Sequence, residues 1–371
     1  MKILQIAHGR ILPKHNSAYS QRCHRYLRKF KDRHLLSIGG LVFRDEKYGY
    51  ARQFRSILMT GFAFLKGNRS LEIYISKAKF IRKKYIREVV NLIEESDVII
   101  FEGPWQFPVF RQYLKGKKVV YNAHNVESLL RIGNIWENYV KDLENELVSN
   151  CDLVITMSDE DREKYIELYS IKENKIKAIP EGYEVSPIDW NGAESNEIIF
   201  IASAYEPNVR AAELVLKSAD ELPELQFNIM GSVCSVLKHR KIPKNVTLLG
   251  LVDESIKYQE LSNSILALNP VITGSGQNVK MIDYVSSGVP VITSEVGTRG
   301  FDVTIKNRFF VTETSKLTDG IKKAISDREV LKSISNFYIE YAKNNSYEVT
   351  ENLAYDTLNK ILDVNHTDHD N

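Results

Sequence analysis

Residues 274–300 read GSGQNVKMIDYVSSGVPVITSEVGTRG, and this stretch decides how the rest of the chain is interpreted. A loop, Gly274-Ser275-Gly276-Gln277-Asn278, runs into a helix-forming segment at 279–287, and a β-branched run follows at 289–293. Backbone N–H groups in such a loop and at a helix N-terminus have no partner inside the helix, and the macrodipole makes that end positive. The segment is therefore expected to cradle an anion such as a diphosphate. Lys280 falls in the first turn, where a cation opposes the macrodipole, and an anion between the two relieves the conflict. Asp283, three residues on and on the same helix face, is placed to accept from the vicinal hydroxyls of a ribose. The plainer alternative is a Lys–Asp surface pair after an ordinary turn.

Outward from this stretch, short apolar β-branched runs alternate with helix-period segments, the pattern of parallel sheets covered on both faces. The C-terminal half offers strands at 198–202, 226–230, 246–249, 265–268 and 289–293, with helices at 209–221 and 279–287. The N-terminal half offers strands at 2–7, 35–39, 98–102, 119–123, 153–157 and 175–179. Its clearest helix is 77–95, where Phe80, Ile81, Tyr85, Val89, Leu92 and Ile93 recur at spacings of three and four. Between the halves, 181–196 (EGYEVSPIDWNGAESN) has no period and reads as a linker. Two Rossmann-like units are expected. They span 1–185 and 196–345, followed by a helix at 346–371 that is expected to pack back on the first unit and to end in a frayed polar tail.

The 371 residues accommodate two such cores, and an apolar share of 43% with 26% charge excludes disorder and low-complexity architectures. Three cysteines, Cys23, Cys151 and Cys234, lie far apart, so neither a disulfide framework nor a cysteine zinc site is supported. With a strand starting at once and no leader pattern, a cytoplasmic protein is expected. The net charge of +2 hides an asymmetry: residues 1–95 carry 21 Lys and Arg against 7 Asp and Glu, and the remainder 29 against 41. A basic N-terminal part suits an anionic partner, and the apolar run 57–65 (ILMTGFAFL) beside it is too short to span a bilayer but suits the headgroup region. The same residues would also serve as a core-facing helix turn with a charged outer face. No nucleic-acid-binding signature is present, and no nucleic acid partner is expected.

The 274–300 segment resembles the donor-site signature of GT-B-fold glycosyltransferases, and of glycosyltransferase family 4 (group 1) in particular. The likeness rests on the glycine loop, the acidic helix residue, then Ser286-Ser287-Gly288-Val289-Pro290-Val291, with Gly297 and Gly300 after it. It extends to Tyr205-Glu206-Pro207-Asn208-Val209, Asn245-Val246-Thr247-Leu248-Leu249-Gly250, Asn122-Ala123-His124-Asn125-Val126-Glu127, Cys151-Asp152-Leu153-Val154-Ile155 and Ile179-Pro180-Glu181-Gly182. The resemblance implies an α/β protein of GT-B architecture, two Rossmann-like domains whose parallel sheets face across a cleft. It also implies a retaining, metal-independent transfer of sugar from a nucleotide diphosphate sugar to a saccharide or lipid-linked saccharide, in cell-surface glycan assembly. No cofactor and no metal are expected. The protein would work in the cytoplasm, peripherally on the inner membrane face.

On that resemblance, Lys280 and the amides of Gly274, Ser275, Gly276, Gln277 and Asn278 meet the diphosphate, Asp283 meets the ribose, and the base lies near Gly231 and Leu251. Ser203 and Asn208 stand where the family often has an Arg and a Lys, and Ser275 where it often has a Glu. Phosphate charge then falls to Lys280 with Arg10 or Arg22. His124, at a strand end, faces the donor sugar and is the first catalytic candidate beside Lys280. Glu102 and Glu127 also lie beyond strand ends as acceptor-side candidates, Glu102 being the better base; a helix cap or a structural histidine is the plainer reading of such positions.

Asp159-Glu160-Asp161 imitates a D-x-D metal motif, but Ser158 before it approximates a helix cap and acids suit a first helical turn, so a helix start is expected. Motifs for hydrolases and nicotinamide dehydrogenases are missing. A non-catalytic GT-B scaffold and, further off, a sugar-nucleotide epimerase are the alternatives to a transferase.

Overall fold

The computed structural model describes residues 1–9, 11, 18–38, 42–45, 49–52, 73, 76, 81, 83–273 and 278–367. The chain divides into two units: Met1–Glu181 together with the chain from Thr350, and Gly182–Val349.

The first unit is built on an eight-stranded sheet. Its strands are β1 (Ile3–Ala7), β2 (Arg33–Ile38), β3 (Val42–Asp45), β4 (Gly49–Arg52), β5 (Val98–Phe101), β6 (Lys118–Ala123), β7 (Leu153–Thr156) and β8 (Ile176–Ala178), in the order β4-β3-β2-β1-β5-β6-β7-β8. Pairing is parallel from β2 to β8, and β3 and β4 extend one edge antiparallel. Alternate residues of the central strands face opposite ways. Leu4, Ile6, Ile99, Phe101, Tyr121 and Val154 join one buried cluster; Ile3, Val98, Ile100, Val120, Leu153 and Ile155 join another. Helix Lys83–Glu95 closes the first face with Tyr85, Val89 and Ile93, each four residues apart. Ala354 and Leu358 of helix Tyr347–Thr367 close the second. With both faces covered, the strands can be continuous apolar runs rather than alternating ones.

The second unit carries β9 (Glu197–Ile201), β10 (Gln226–Met230), β11 (Val246–Gly250), β12 (Leu266–Asn269), β13 (Val291–Thr293) and β14 (Phe310–Val311), all parallel, in the order β11-β10-β9-β12-β13-β14. Strand order reverses between β1 and β5 in the first unit and between β9 and β12 in the second. Open α/β sheets bind ligands at the carboxyl ends of strands at such a reversal, so each unit offers one crevice by topology alone.

The expected strands all form, with ends shifted by at most two residues, and β3, β4 and β14 are additional. The stretch read as a linker is docked structure from Tyr183 onward. Asn191 N donates to Ser262 O (3.0 Å) and Trp190 Nε1 to Ser264 O (2.7 Å). Gly192 permits this approach, since a Cβ there would lie 2.2 Å from Ser264 O. Among the described residues no helix is long and apolar enough to cross a membrane.

Candidate active site

In the second unit the chain leaves β9 through Ser203 and enters helix Glu206–Glu221, and it leaves β12 towards helix Val279–Ser286. Both helices thus begin beside the strand-order reversal, and among the described residues neither start is capped by a side chain. Asn278, at the N-cap of the second, donates instead to Gly297 O (3.3 Å). Lys280 Nζ donates to Asn208 Oδ1 (2.8 Å) and lies 5.0 Å from the centre of the Phe200 ring; Asn208 Nδ2 donates on to Ser203 Oγ (3.0 Å). Three residues expected at the donor site therefore form one chain of contacts. Lys280 is half-buried and no carboxylate pairs with it among the described residues. The protein crowded around its ammonium lowers its pKa to about 7.

Asp283 does not pair with Lys280. Lys257, from helix Glu254–Asn263, places its Nζ 3.1 Å from Asp283 Oδ1. Gly231, just past β10, has φ +105°, and a Cβ there would lie 2.2 Å from Ala202 O, so only glycine fits. Leu251, just past β11, is 82% exposed, a large apolar side chain left to solvent at the same end of the sheet. Gly274, Ser275, Gly276, Gln277 and Arg10, and the run 57–65, lie outside the described residues.

In the first unit the crevice holds a different constellation. Glu102, expected as a base touching the acceptor, is 0% exposed. Its Oε1 accepts from Gln5 Nε2 (2.6 Å) and Tyr26 OH (2.7 Å), and its Oε2 from Asn122 Nδ2 (2.8 Å), with His124 Nε2 also 2.7 Å from Oε2. Burial alone would raise this carboxyl's pKa, but His124 first, then Tyr26 and Asn122, outweigh it and hold it below the ordinary range. A carboxylate enclosed and occupied by four donors orients His124 and cannot reach an acceptor. His124 itself stands at the end of β6 with 12% of its side chain exposed.

Beside it the Tyr19 ring packs, tilted, 4.5 Å from the His124 ring and 4.6 Å from His8, and its OH lies 2.9 Å from His8 Nδ1. Burial, then the neighbouring His124, lower the His8 pKa to about 3, so this imidazole is neutral at neutral pH. Glu127 is bound by Arg131 (2.7 Å), whose guanidinium also covers Trp105 (4.8 Å); burial raises Glu127 to about 7 against the pull of Arg131. Arg22, expected to share phosphate charge with Lys280, is 2% exposed and donates to Ile179 O (2.6 Å) and Pro180 O (3.0 Å). With Glu181 Oε2 also 3.6 Å away, it is spent on the chain after β8.

Cys23, Glu102 and His124 bring ligand-type atoms within 4.8 Å of one another. Glu102 is already filled by N–H and O–H donors, and burial pushes the Cys23 thiol well up, so this donor set is a hydrogen-bond network rather than a prepared cation cage. Asp159, Glu160 and Asp161 open helix Asp159–Tyr169, with Ser158 Oγ accepting from Asp161 N (3.1 Å). His8, Tyr19 and Lys257 are site residues that sequence reading missed. Only His8 carried a signal, its position directly after the first strand.

Residues 195–327 match the family described as Glycosyl transferases group 1, and residues 55–186 match Glycosyltransferase Family 4. No curated protein matches the chain in sequence. Among solved structures, Anabaena HepE in complex with UDP-glucose aligns with a TM-score of 0.68 at 14% identity, covering 97% of this chain and 100% of that one. A glycosyltransferase from Rickettsia africae aligns with a TM-score of 0.65 at 14% identity, covering 97% and 98%. TarM aligns with a TM-score of 0.56 at 17% identity, covering 74% and 57%. At these identities the likeness is one of fold.

Proposed function

From the premise that this chain is a GT-B glycosyltransferase, with a family 4 N-terminal half and a group 1 C-terminal half, we propose that it is a retaining, metal-independent enzyme. It moves a sugar from a nucleotide diphosphate sugar to a saccharide or lipid-linked saccharide acceptor, in the assembly of a cell-surface glycan. The observation that carries this reading is Lys280. Its half-buried ammonium meets one amide oxygen and no carboxylate among the described residues, beside two helix starts that no side chain caps. Such a group is costly without an anion, and a diphosphate supplies one.

In the reaction, the bond from the anomeric carbon to the diphosphate oxygen breaks and the acceptor oxygen attaches on the same face. The acceptor's proton passes to the departing phosphate. Lys280 and the helix-end amides stabilise the charge that develops on the diphosphate, a role in which preorganised dipoles are worth most. Asp283 accepts from the ribose, and in the first unit Glu102 holds the His124 ring through Nε2. The basic N-terminal part would hold the enzyme on an anionic membrane surface.

The test is thermal shift and transfer with nucleotide sugars. UDP-sugars are the first probes, and the other nucleoside diphosphates follow. Ligand must raise the melting temperature of the wild type and do so far less in Lys280→Ala. Equal shifts in both proteins would remove the phosphate assignment, and loss of transfer on adding EDTA would overturn metal independence. Binding to anionic liposomes at low salt, lost at high salt, is expected; no binding at low salt would remove the membrane.

A further inference from the structure

In the second unit, Lys257 reaches across from helix Glu254–Asn263 to Asp283 Oδ1 at 3.1 Å, with its ammonium 4.8 Å from the centre of the Tyr258 ring. The pair is partly open, at 20% and 33% side-chain exposure, where an ion pair contributes at most about 1 kcal/mol to stability. Its place is more telling than its strength. Asp283 lies three residues beyond Lys280 on one helix, and Lys257 lies six residues beyond the exposed Leu251 at the end of β11. The ammonium has three N–H donors, of which one goes to Asp283; it also sits over the Tyr258 ring, and Glu254 adds to the negative field around it.

We infer that Lys257 is a specificity-determining residue that makes the donor site select ribonucleotides over 2′-deoxyribonucleotides, a step that rests on Asp283 being the sugar contact proposed above. A carboxylate can only accept and an ammonium can only donate. Each hydroxyl of a vicinal diol does both, so a diol set against the pair gives its protons to Asp283 and takes an N–H from Lys257. A 2′-deoxyribose lacks one of the two oxygens and leaves part of the pair without its partner. Sites built to hydrogen-bond a hydroxyl reject the analogue that lacks it for this reason. Partial exposure lets water fill the gap, which places the expected discrimination at about tenfold rather than the thousands reached in closed sites. The ion pair also keeps Lys257 protonated, because Asp283 outweighs the lowering effect of burial and raises its pKa.

Calorimetric titration of the full chain with UDP and 2′-dUDP, and with the ADP and GDP pairs in parallel, tests this without depending on the base. The ribo form of the preferred base should bind about tenfold more tightly than its deoxy form. Lys257→Met keeps the apolar stem over Tyr258 and should lose most of that ratio by weakening the ribo form alone, while Lys257→Arg should restore part of it. Equal binding of ribo and deoxy forms by the wild type overturns the inference, as does a Lys257→Met variant that weakens both forms alike. If no nucleoside diphosphate binds the wild type, the donor-site reading itself falls and this inference with it.

Discussion

The two crevices sit at equivalent places, at the strand-order reversal of a parallel sheet, yet they are finished in opposite ways. In the first unit a buried carboxylate, Glu102, is surrounded by four donors from β1, β6, the segment after β6 and the residues following helix Ala18–Arg25. In the second a half-buried ammonium, Lys280, has one amide oxygen among the described residues. The first charge finds its partners within the protein; the second is left for something that arrives. The difference separates residues that hold a site in shape from residues that hold a ligand, a distinction that residue type and strand-end position do not make.

Removing each charge is the most direct way to break the contrast. Glu102→Ala leaves four buried donors without an acceptor, and the loss of one partner in a buried, hydrogen-bonded charge cluster costs about 3–5 kcal/mol. Urea unfolding followed through the first unit should show that loss, with no soluble protein as the extreme result. An unchanged midpoint would mean that Glu102 is not the hub the geometry makes it. Lys280→Ala should do the reverse, leaving unfolding unchanged or slightly favourable to the fold while weakening nucleoside diphosphate binding about 100-fold, the scale expected for truncating one side of a desolvated charge pair.

Titration sharpens the same contrast. With a pKa of about 7, Lys280 carries its charge below that pH in the free enzyme and loses it above. Diphosphate affinity should therefore fall by up to about tenfold per pH unit as pH rises past 7, with one proton taken up on binding. Lys280→Arg, charged throughout, should flatten that limb. The effect on the fold has the opposite sign. The folded pKa lies below the ordinary value, so the unfolded chain holds more protons between about pH 7 and 10.5, and this residue's contribution to stability rises with pH across that window. Affinity that stays level from pH 7 to 9 would show that the ammonium does not meet the phosphate.

How much of this was readable beforehand follows from where the partners come from. Strand β10 was legible to the residue because QFNIM is a short, mostly apolar run that a glycine, Gly231, ends. Strands β3 (VFRD) and β4 (GYAR) were not, since four residues with charges and a glycine carry no period and their pairing is set by the sheet edge. The same limit applies at the sites. Lys280 was visible because its meaning is local, a cation in the first turn after a glycine loop. Glu102 was seen as a strand-end acid but misplaced, because the partners that bury it stand 97, 76, 22 and 20 positions away in sequence. Lys257 gave no signal at all, being one lysine on a mostly polar helix whose partner lies 26 residues on. The docking of the stretch after Glu181 was hidden for a related reason: Gly192 reads as a loop residue, and only the neighbouring Ser264 carbonyl shows why glycine is there.

The smallest effect tests the segment that imitates a metal site. Asp159, Glu160 and Asp161 occupy the first turn of their helix, where carboxylates oppose the macrodipole favourably, and Ser158 Oγ takes the Asp161 amide. If helix initiation is their whole task, Ser158→Ala should cost about 1 kcal/mol of stability and Asp159→Asn only about 0.3–1 kcal/mol, both read as small shifts of the unfolding midpoint. Neither should alter the dependence of transfer on added divalent ions. The two substitutions also discriminate by rank, because a cap loses more from the hydroxyl than from one acid, whereas a cation site loses far more from the acid. An Asp159→Asn enzyme that keeps its midpoint but needs millimolar magnesium, or fails outright, would return these residues to the chemistry. It would then place a third kind of crevice in the molecule, one finished by an ion rather than by the protein or the donor.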